Sequence, residues 1–192
     1  TSRRRIQCAV YDSGIGRWSV CRAPVASGSR IVLNSAMAPI LVFDIETIPD
    51  IEGLYRLGYG DKDDDPNAVI EMYKTEKGKE NTDLLPHHLQ RIIAISCVLR
   101  KEDRFHVWSL GRCDDDEPTL IKKFFDGIER FSPQLVSWNG SGFDLPVLQY
   151  RSLLYGIQAA RYWEMGEMVP DFKYNNYINR YHFRHIDLMD ML

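Results

Sequence analysis

Asp44 and Glu46 stand two residues apart at the end of the apolar run Ile40-Leu41-Val42-Phe43. A period of two sends both carboxylates to one face of a strand. There they repel each other, and burying them unpaired would be expensive. A divalent cation resolves that conflict, because carboxylate oxygens are hard ligands suited to Mg²⁺ or Mn²⁺. Alone, the Asp-x-Glu pair reads as an ordinary strand end with exposed acids. A third acid alters the balance. In Asn139-Gly140-Ser141-Gly142-Phe143-Asp144 a carboxylate sits where a strand passes through a flexible loop into a helix. A short acid there can also cap the helix. In open α/β sheets, however, ligands gather at the carboxyl ends of strands. If the strands carrying Asp44 and leading to Asp144 are parallel neighbours, the three acids converge.

The rest of the chain must supply that scaffold. The run 40–43 reads as a central strand covered on both faces. Residues 50–60 carry no clear period, and Asp63-Asp64-Asp65-Pro66 reads as the start of a solvated helix over 67–79. The whole stretch 51–89 reads as an insertion beside the site. Ile92, Ile93, Ile95 and Val98 mark a second strand, and Phe105, Val107 and Leu110 a third, joined as a hairpin across Lys101-Glu102-Asp103. Asp114-Asp115-Asp116-Glu117-Pro118 opens a helix whose acids suit its N-terminus. Leu120, Ile121, Phe124, Phe125 and Ile128 give that helix a face to lay on the sheet. Leu135 to Trp138 is a fourth strand with Trp138 in the core, 144–155 a helix stopped by Gly156, and His185 to Leu188 a short fifth strand. Strand, strand, strand, helix, strand, helix, strand implies an α/β fold with a mixed sheet and flanking helices.

Residues 1–36 differ from the rest. They are rich in Gly and Ser and lack a sustained apolar period, and Met37 directly precedes the first strand. The expectation is an extension outside the fold over 1–36 and one domain over 37–192. Net charge is −3, with six Arg and one Asp in the first 36 residues. An acidic body argues against a protein that coats nucleic acid. It is neutral toward an enzyme whose bound cations offset its own carboxylates. The cysteines lack zinc spacing, and no apolar run approaches the roughly 20 residues a membrane helix needs. A cytoplasmic protein with reduced thiols is expected.

Phe43-Asp44-Ile45-Glu46-Thr47 resembles the first motif of the DEDD exonucleases, the superfamily that includes the proofreading domains of DNA polymerases. Val136 to Pro146 resembles the second motif. Together with Phe43 to Pro49 and Arg180 to Asp190, it is similar to the predicted exonucleases related to the family B polymerase proofreading domain. The resemblance spans roughly residues 38–192. It implies a ribonuclease-H-like five-stranded sheet lacking its last helix, and a 3′–5′ exonuclease acting at a single-stranded or frayed 3′ end, DNA favoured. It implies that Asp44, Glu46 and Asp144 hold two divalent cations, Mg²⁺ or Mn²⁺. Thr47 and Asn139 match positions that contact the terminal nucleotide; Phe143 packs under the site or against a base. These enzymes carry a fourth acid, four or five residues after a Tyr or His on a helix. It is expected beyond Leu192, which would leave a C-terminally incomplete domain. The competing assignment is His182 with Asp187, five apart, completing the set within the chain. Without a fourth acid, the alternative function is a catalytically silent nucleic-acid-binding module or fragment.

Overall fold

The computed structural model describes residues 38–78, 84–112 and 114–192, together with residues 11–12 and 17–18. Residues 11–12 and 17–18 pair with each other, Tyr11 opposite Trp18 and Asp12 opposite Arg17. The remainder of the expected 1–36 extension lies outside the described residues.

Strand β1 (Ile40–Pro49) is the centre of a five-stranded sheet. It runs antiparallel to β2 (Gln90–Lys101), which pairs antiparallel with β3 (Arg104–Ser109). On its other side β1 runs parallel to β4 (Gln134–Ser137), and β4 runs parallel to β5 (His185–Asp187). The spatial order is β3-β2-β1-β4-β5. A three-strand meander followed by two parallel strands on the far side of the first is the mixed sheet that the strand and helix order implied, in the ribonuclease-H-like arrangement that the family resemblance implied.

Alternation decides what each strand offers each face. Leu41, Phe43 and Ile45 are buried, with Ile95 and Cys97 of β2 beside them. Over them, α3 (Glu117–Phe131) lays Ile121, Phe124 and Ile128 on the sheet, and α4 (Asp144–Leu154) adds Leu145, Val147 and Leu148. The Phe43 and Phe124 rings meet at 5.0 Å. The opposite face carries Asp44 and Glu46. It also carries an apolar row in register across all five strands: Val107, Val98, Val42, Val136 and Ile186. Val42 and Val107 in that row are exposed.

The stretch 51–89 is not a bare loop. Asp50 caps α1 (Ile51–Arg56) through the Gly53 amide, and Asp65 caps α2 (Pro66–Glu76) through the Asn67 amide. Leu54, Tyr59, Val69, Tyr73, Leu85 and Leu89 close a second, smaller core there. The aperiodic 50–60 stretch is therefore a short helix and a turn, and the helix expected over 67–79 begins at Pro66 and ends at Glu76.

Two short elements complete the described chain: α5 (Ala160–Trp163) and α6 (Leu188–Met191), which Asp187 caps through the Met189 amide. Trp138 departs from expectation. The strand ends at Ser137, and parity places residue 138 with Val136 on the open face, so the indole is 59% exposed and not in the core.

Candidate functional site

The β1–β4 ladder is short. It pairs Ile40, Leu41 and Val42 with Gln134, Leu135 and Val136, and β4 then turns away into the Asn139–Gly142 loop. Beyond Val42, β1 has no strand on that side, and its amides need other partners. Asp144 supplies one. Its Oδ1 accepts a hydrogen bond from the Ile45 N–H at 3.2 Å. The acid after the loop is thus bound to the residue between Asp44 and Glu46, 99 positions earlier in sequence. Asp144 is the first residue of α4 but not its cap; Phe143 holds that position without a side-chain bond.

The electrostatics are uneven. Asp144 is 4% exposed. Burial pushes its carboxyl up to about 6; the Ile45 amide pulls against this, and the charges of Asp44 and Asp187 add to the rise. Asp44 and Glu46 are exposed on the open face and accept no hydrogen bond or ion pair among the described residues. Glu46 precedes an irregularity: Glu46 pairs with Ala94 but Thr47 with Ile92, so Ile93 is left over as a bulge. Thr47 donates its hydroxyl to Gln90 Oε1 at 3.0 Å, and Gln90 Nε2 donates to the Leu85 carbonyl at 2.8 Å.

The loop before Asp144 is fixed by close approaches. Asn139 adopts a left-handed φ of 56°. Its carbonyl accepts from the Gly142 and Phe143 amides, and its own amide donates to Asp187 Oδ1 at 2.7 Å. The Ser141 amide donates to the other Asp187 oxygen at 2.9 Å. A Cβ on Gly140 would stand 2.0 Å from Ser137 Oγ, and one on Gly142 would stand 2.5 Å from Asn139 Oδ1. At Gly140 a Cβ would displace the buried Ser137 side chain, whereas at Gly142 it would have to push the Asn139 amide aside. Ser137 Oγ and His185 Nε2, 2.7 Å apart and buried, seal the floor beneath Gly140. Phe143 is half-buried against the core edge, with its ring edge-on to His87 at 5.8 Å.

The His182–Asp187 spacing, expected on a helix, falls on a bend followed by β5. His182 Nδ1 accepts from the Asn176 amide at 3.0 Å. Burial raises the Asp187 carboxyl, but the Ser141, Met189 and Asn139 donors outweigh it and hold the group below the ordinary carboxylate range. Asp187 is a clamp on the 139–141 loop.

A second cluster escaped sequence reasoning. Arg151 is fully buried, and its guanidinium grips Glu117 through two bonds, Nε to Oε1 at 2.8 Å and Nη2 to Oε2. Nη1 reaches Asp50 and the His88 carbonyl. Glu117 also accepts from the Ile92 amide at 2.7 Å and from the Tyr155 hydroxyl at 2.7 Å. Glu117, assigned only a helix-dipole role from sequence, ties α3 to β2 and α4, and through Arg151 the pair reaches Asp50 and His88. Its signal was Arg151's place, three after Leu148 and four after Val147 on the buried stripe of α4.

Among the described residues, no group of three or more His, Cys, Asp or Glu is arranged to hold a metal ion. What the structure brings together is Asp144 with Asp44, close enough for one charge to raise the other's pKa, and Glu46 on the same strand face as Asp44. The chemistry of these donors fits a hard divalent cation: all are carboxylate oxygens, two are uncommitted, and the third carries an uncompensated desolvation.

Residues 82–192 match the family model for a predicted 3′–5′ exonuclease related to the exonuclease domain of PolB. No curated protein matches the chain. Among solved structures, the family B DNA polymerase from the hyperthermophilic archaeon Pyrobaculum calidifontis is similar at 15% identity with a TM-score of 0.41. The alignment covers 80% of this chain and 16% of that polymerase. No described helix is long and apolar enough to cross a membrane.

Proposed function

Because the chain belongs to the family of predicted 3′–5′ exonucleases related to the PolB exonuclease domain, we propose that it removes nucleotides from the 3′ end of single-stranded or frayed DNA. Asp44, Glu46 and Asp144 would hold two divalent cations, Mg²⁺ or Mn²⁺. When bound, such cations lower the pKa of an attacking water and stabilise the leaving 3′ oxygen. The protein's part is placement. Asp44 and Glu46 keep their oxygens free, and the Ile45 amide fixes one oxygen of Asp144 while leaving the other. Thr47 and Asn139 contact the terminal nucleotide from either side of this group. Phe143 supports the site from the core edge.

The observation that supports the reading is the Asp144 to Ile45 bond, which ties the third acid to the backbone between the first two. The test is a 5′-labelled DNA oligonucleotide incubated with Mn²⁺ or with EDTA. A ladder shortening from the 3′ end, in Mn²⁺ only, is expected. Cleavage insensitive to a blocked 3′ end, or no cleavage, rejects the proposal.

A second reading is a nucleic-acid-binding module without cleavage. It is favoured by the engagement of Asp187, whose oxygens already accept from three amides. Binding of the same oligonucleotide with no shortening would select it.

A further inference from the structure

Residues 173–184 read Lys-Tyr-Asn-Asn-Tyr-Ile-Asn-Arg-Tyr-His-Phe-Arg, with three cations and no acid in a chain whose net charge is −3. The segment contains no helix or strand, yet it is tightly built. Buried Asn176 accepts from the Ile178 and Asn179 amides and donates to the Phe172 carbonyl at 3.1 Å. Buried Tyr177 donates to the Pro133 carbonyl at 2.6 Å. Arg184 donates to the Asn175 carbonyl at 2.6 Å and lies 3.7 Å over the Phe172 ring. On this anchored frame three rings face solvent: Tyr174 at 77%, Tyr181 at 87% and Phe183 at 73% exposed. Large rings held open to water on a fixed frame mark a contact surface. Lys173 lies 5.3 Å over the Tyr174 ring, and Arg180 pairs with Asp190.

We propose that residues 173–184 are a stacking platform for single-stranded nucleic acid, with Tyr181 and Phe183 receiving bases upstream of the 3′ end. This rests on the exonuclease reading above. Exposed rings with Lys173 beside them match a strand that offers base faces and phosphates in alternation; Arg180 shares its charge with Asp190 and Arg184 holds the frame. The placement agrees. The Arg184 carbonyl accepts from the Leu135 amide and the Phe183 carbonyl from Gln134 Nε2, so the platform meets the sheet at the start of β4. Gln134 is level with Ile40, five residues before Ile45 and its bond to Asp144. At about 3.3 Å per residue this is about 17 Å, the length of about five nucleotides that keep the ~3.4 Å stacked rise of a duplex strand.

The test is competition anisotropy with oligo(dT) of three to fifteen nucleotides, in EDTA so that nothing is cleaved. Wild-type affinity should rise steeply once length passes about five. The Tyr181→Ala/Phe183→Ala double variant should lose that rise, weakening the 15-mer by roughly 10-fold or more and the 3-mer by less than about two-fold. Tyr181→Trp/Phe183→Tyr should restore it, which excludes a loss of folding as the cause. Equal loss at both lengths, no loss, no rescue, or a wild type without the length dependence overturns the platform. The two readings fail separately: Mn²⁺-dependent shortening with an unaffected Ala variant sinks the platform alone, whereas full length dependence without cleavage sinks the exonuclease alone.

Discussion

Asp144→Asn should make the metal-free protein more stable at neutral pH. The carboxyl of Asp144 is raised from 3.8 to about 6 by burial, with Asp44 and Asp187 adding like charge. A raised carboxyl favours folding below its unfolded pKa, where both states are protonated. That advantage fades as pH climbs through the window from 3.8 to about 6, because the unfolded chain ionises first and the folded one must follow. Above about 6 the folded protein carries the full burden of a desolvated anion. Two pKa units correspond to about 3 kcal/mol, an upper bound. Asparagine keeps an oxygen for the Ile45 amide and removes the charge.

The expected gain in EDTA at pH 7.5 is therefore about 1–3 kcal/mol, a rise in Tm on the order of 5 °C for a chain of this size. The assay is thermal melting of both proteins from pH 4 to 8, in EDTA and in Mn²⁺. The gap should be widest at pH 7.5 and close toward pH 4. Mn²⁺ should reverse it, since a ligand that binds only the folded state adds about 2.7 kcal/mol at 100 times its Kd, and the variant has lost a ligand. A variant no more stable than wild type at pH 7.5, or a gap that does not change with pH, would refute the electrostatic argument. An equal Mn²⁺ shift in both proteins would refute the role of Asp144 in binding the metal.

Glu46→Gln alters an exposed, unbonded side chain and should leave the unfolding free energy within about 0.5 kcal/mol of wild type, while Mn²⁺-dependent cleavage falls by more than the roughly 10–100-fold that outer-sphere changes cause. Arg151→Ala strands Glu117 and Asp50 in the interior and should destabilise by about 3–5 kcal/mol, read as a fall in urea midpoint. Asp187→Asn turns an NH₂ toward the Asn139 or Ser141 amide and should cost about 1–3 kcal/mol at pH 7. Because the Asp187 carboxyl is held below its ordinary range, its contribution is present above the usual carboxylate pKa and lost as pH falls through the lower value, so the two melting curves should converge in acid. The variant should retain a Mn²⁺ shift in Tm; loss of that shift would make Asp187 a ligand.

The sheet was legible because its strands alternate or run apolar without interruption, and because the helices carry stripes such as Ile121, Phe124 and Ile128. Short-range periodicity contains that information. It does not contain the Arg151 network, which joins residues 101 positions apart and looks, at each end, like solvated charge. Nor does it contain the end of β4. One strand residue more or fewer decides whether Trp138 packs or faces water, and strand ends are set by where the chain turns, here by the Gly140 and Gly142 approaches that no apolar count reveals. The amides that Asp187 meets are hidden for a related reason: its spacing from His182 leaves a metal-binding and a local structural role both open, and spacing cannot say which amides a carboxylate will meet.

The acids of this chain sort by what their lone pairs do, and that sorting makes the site specific. Asp50, Asp65, Asp116 and Asp187 each accept from a backbone amide at the start of a helix, and Glu117 accepts from a strand amide and from Arg151. These carboxylates complete the fold and have little left to offer a ligand. Asp144 is intermediate, with one oxygen given to Ile45 and a charge that no cation among the described residues pairs with. Asp44 and Glu46 give nothing to the fold. If the group had only a structural role, its members would be partnered as the other five are. A buried carboxylate beside the uncommitted Asp44 is held at a cost, which protonation relieves below about 6. A cation bound there would relieve the same cost at neutral pH, which is what the proposed metal role of Asp144 requires and what the Mn²⁺ arm of the melting experiment reads.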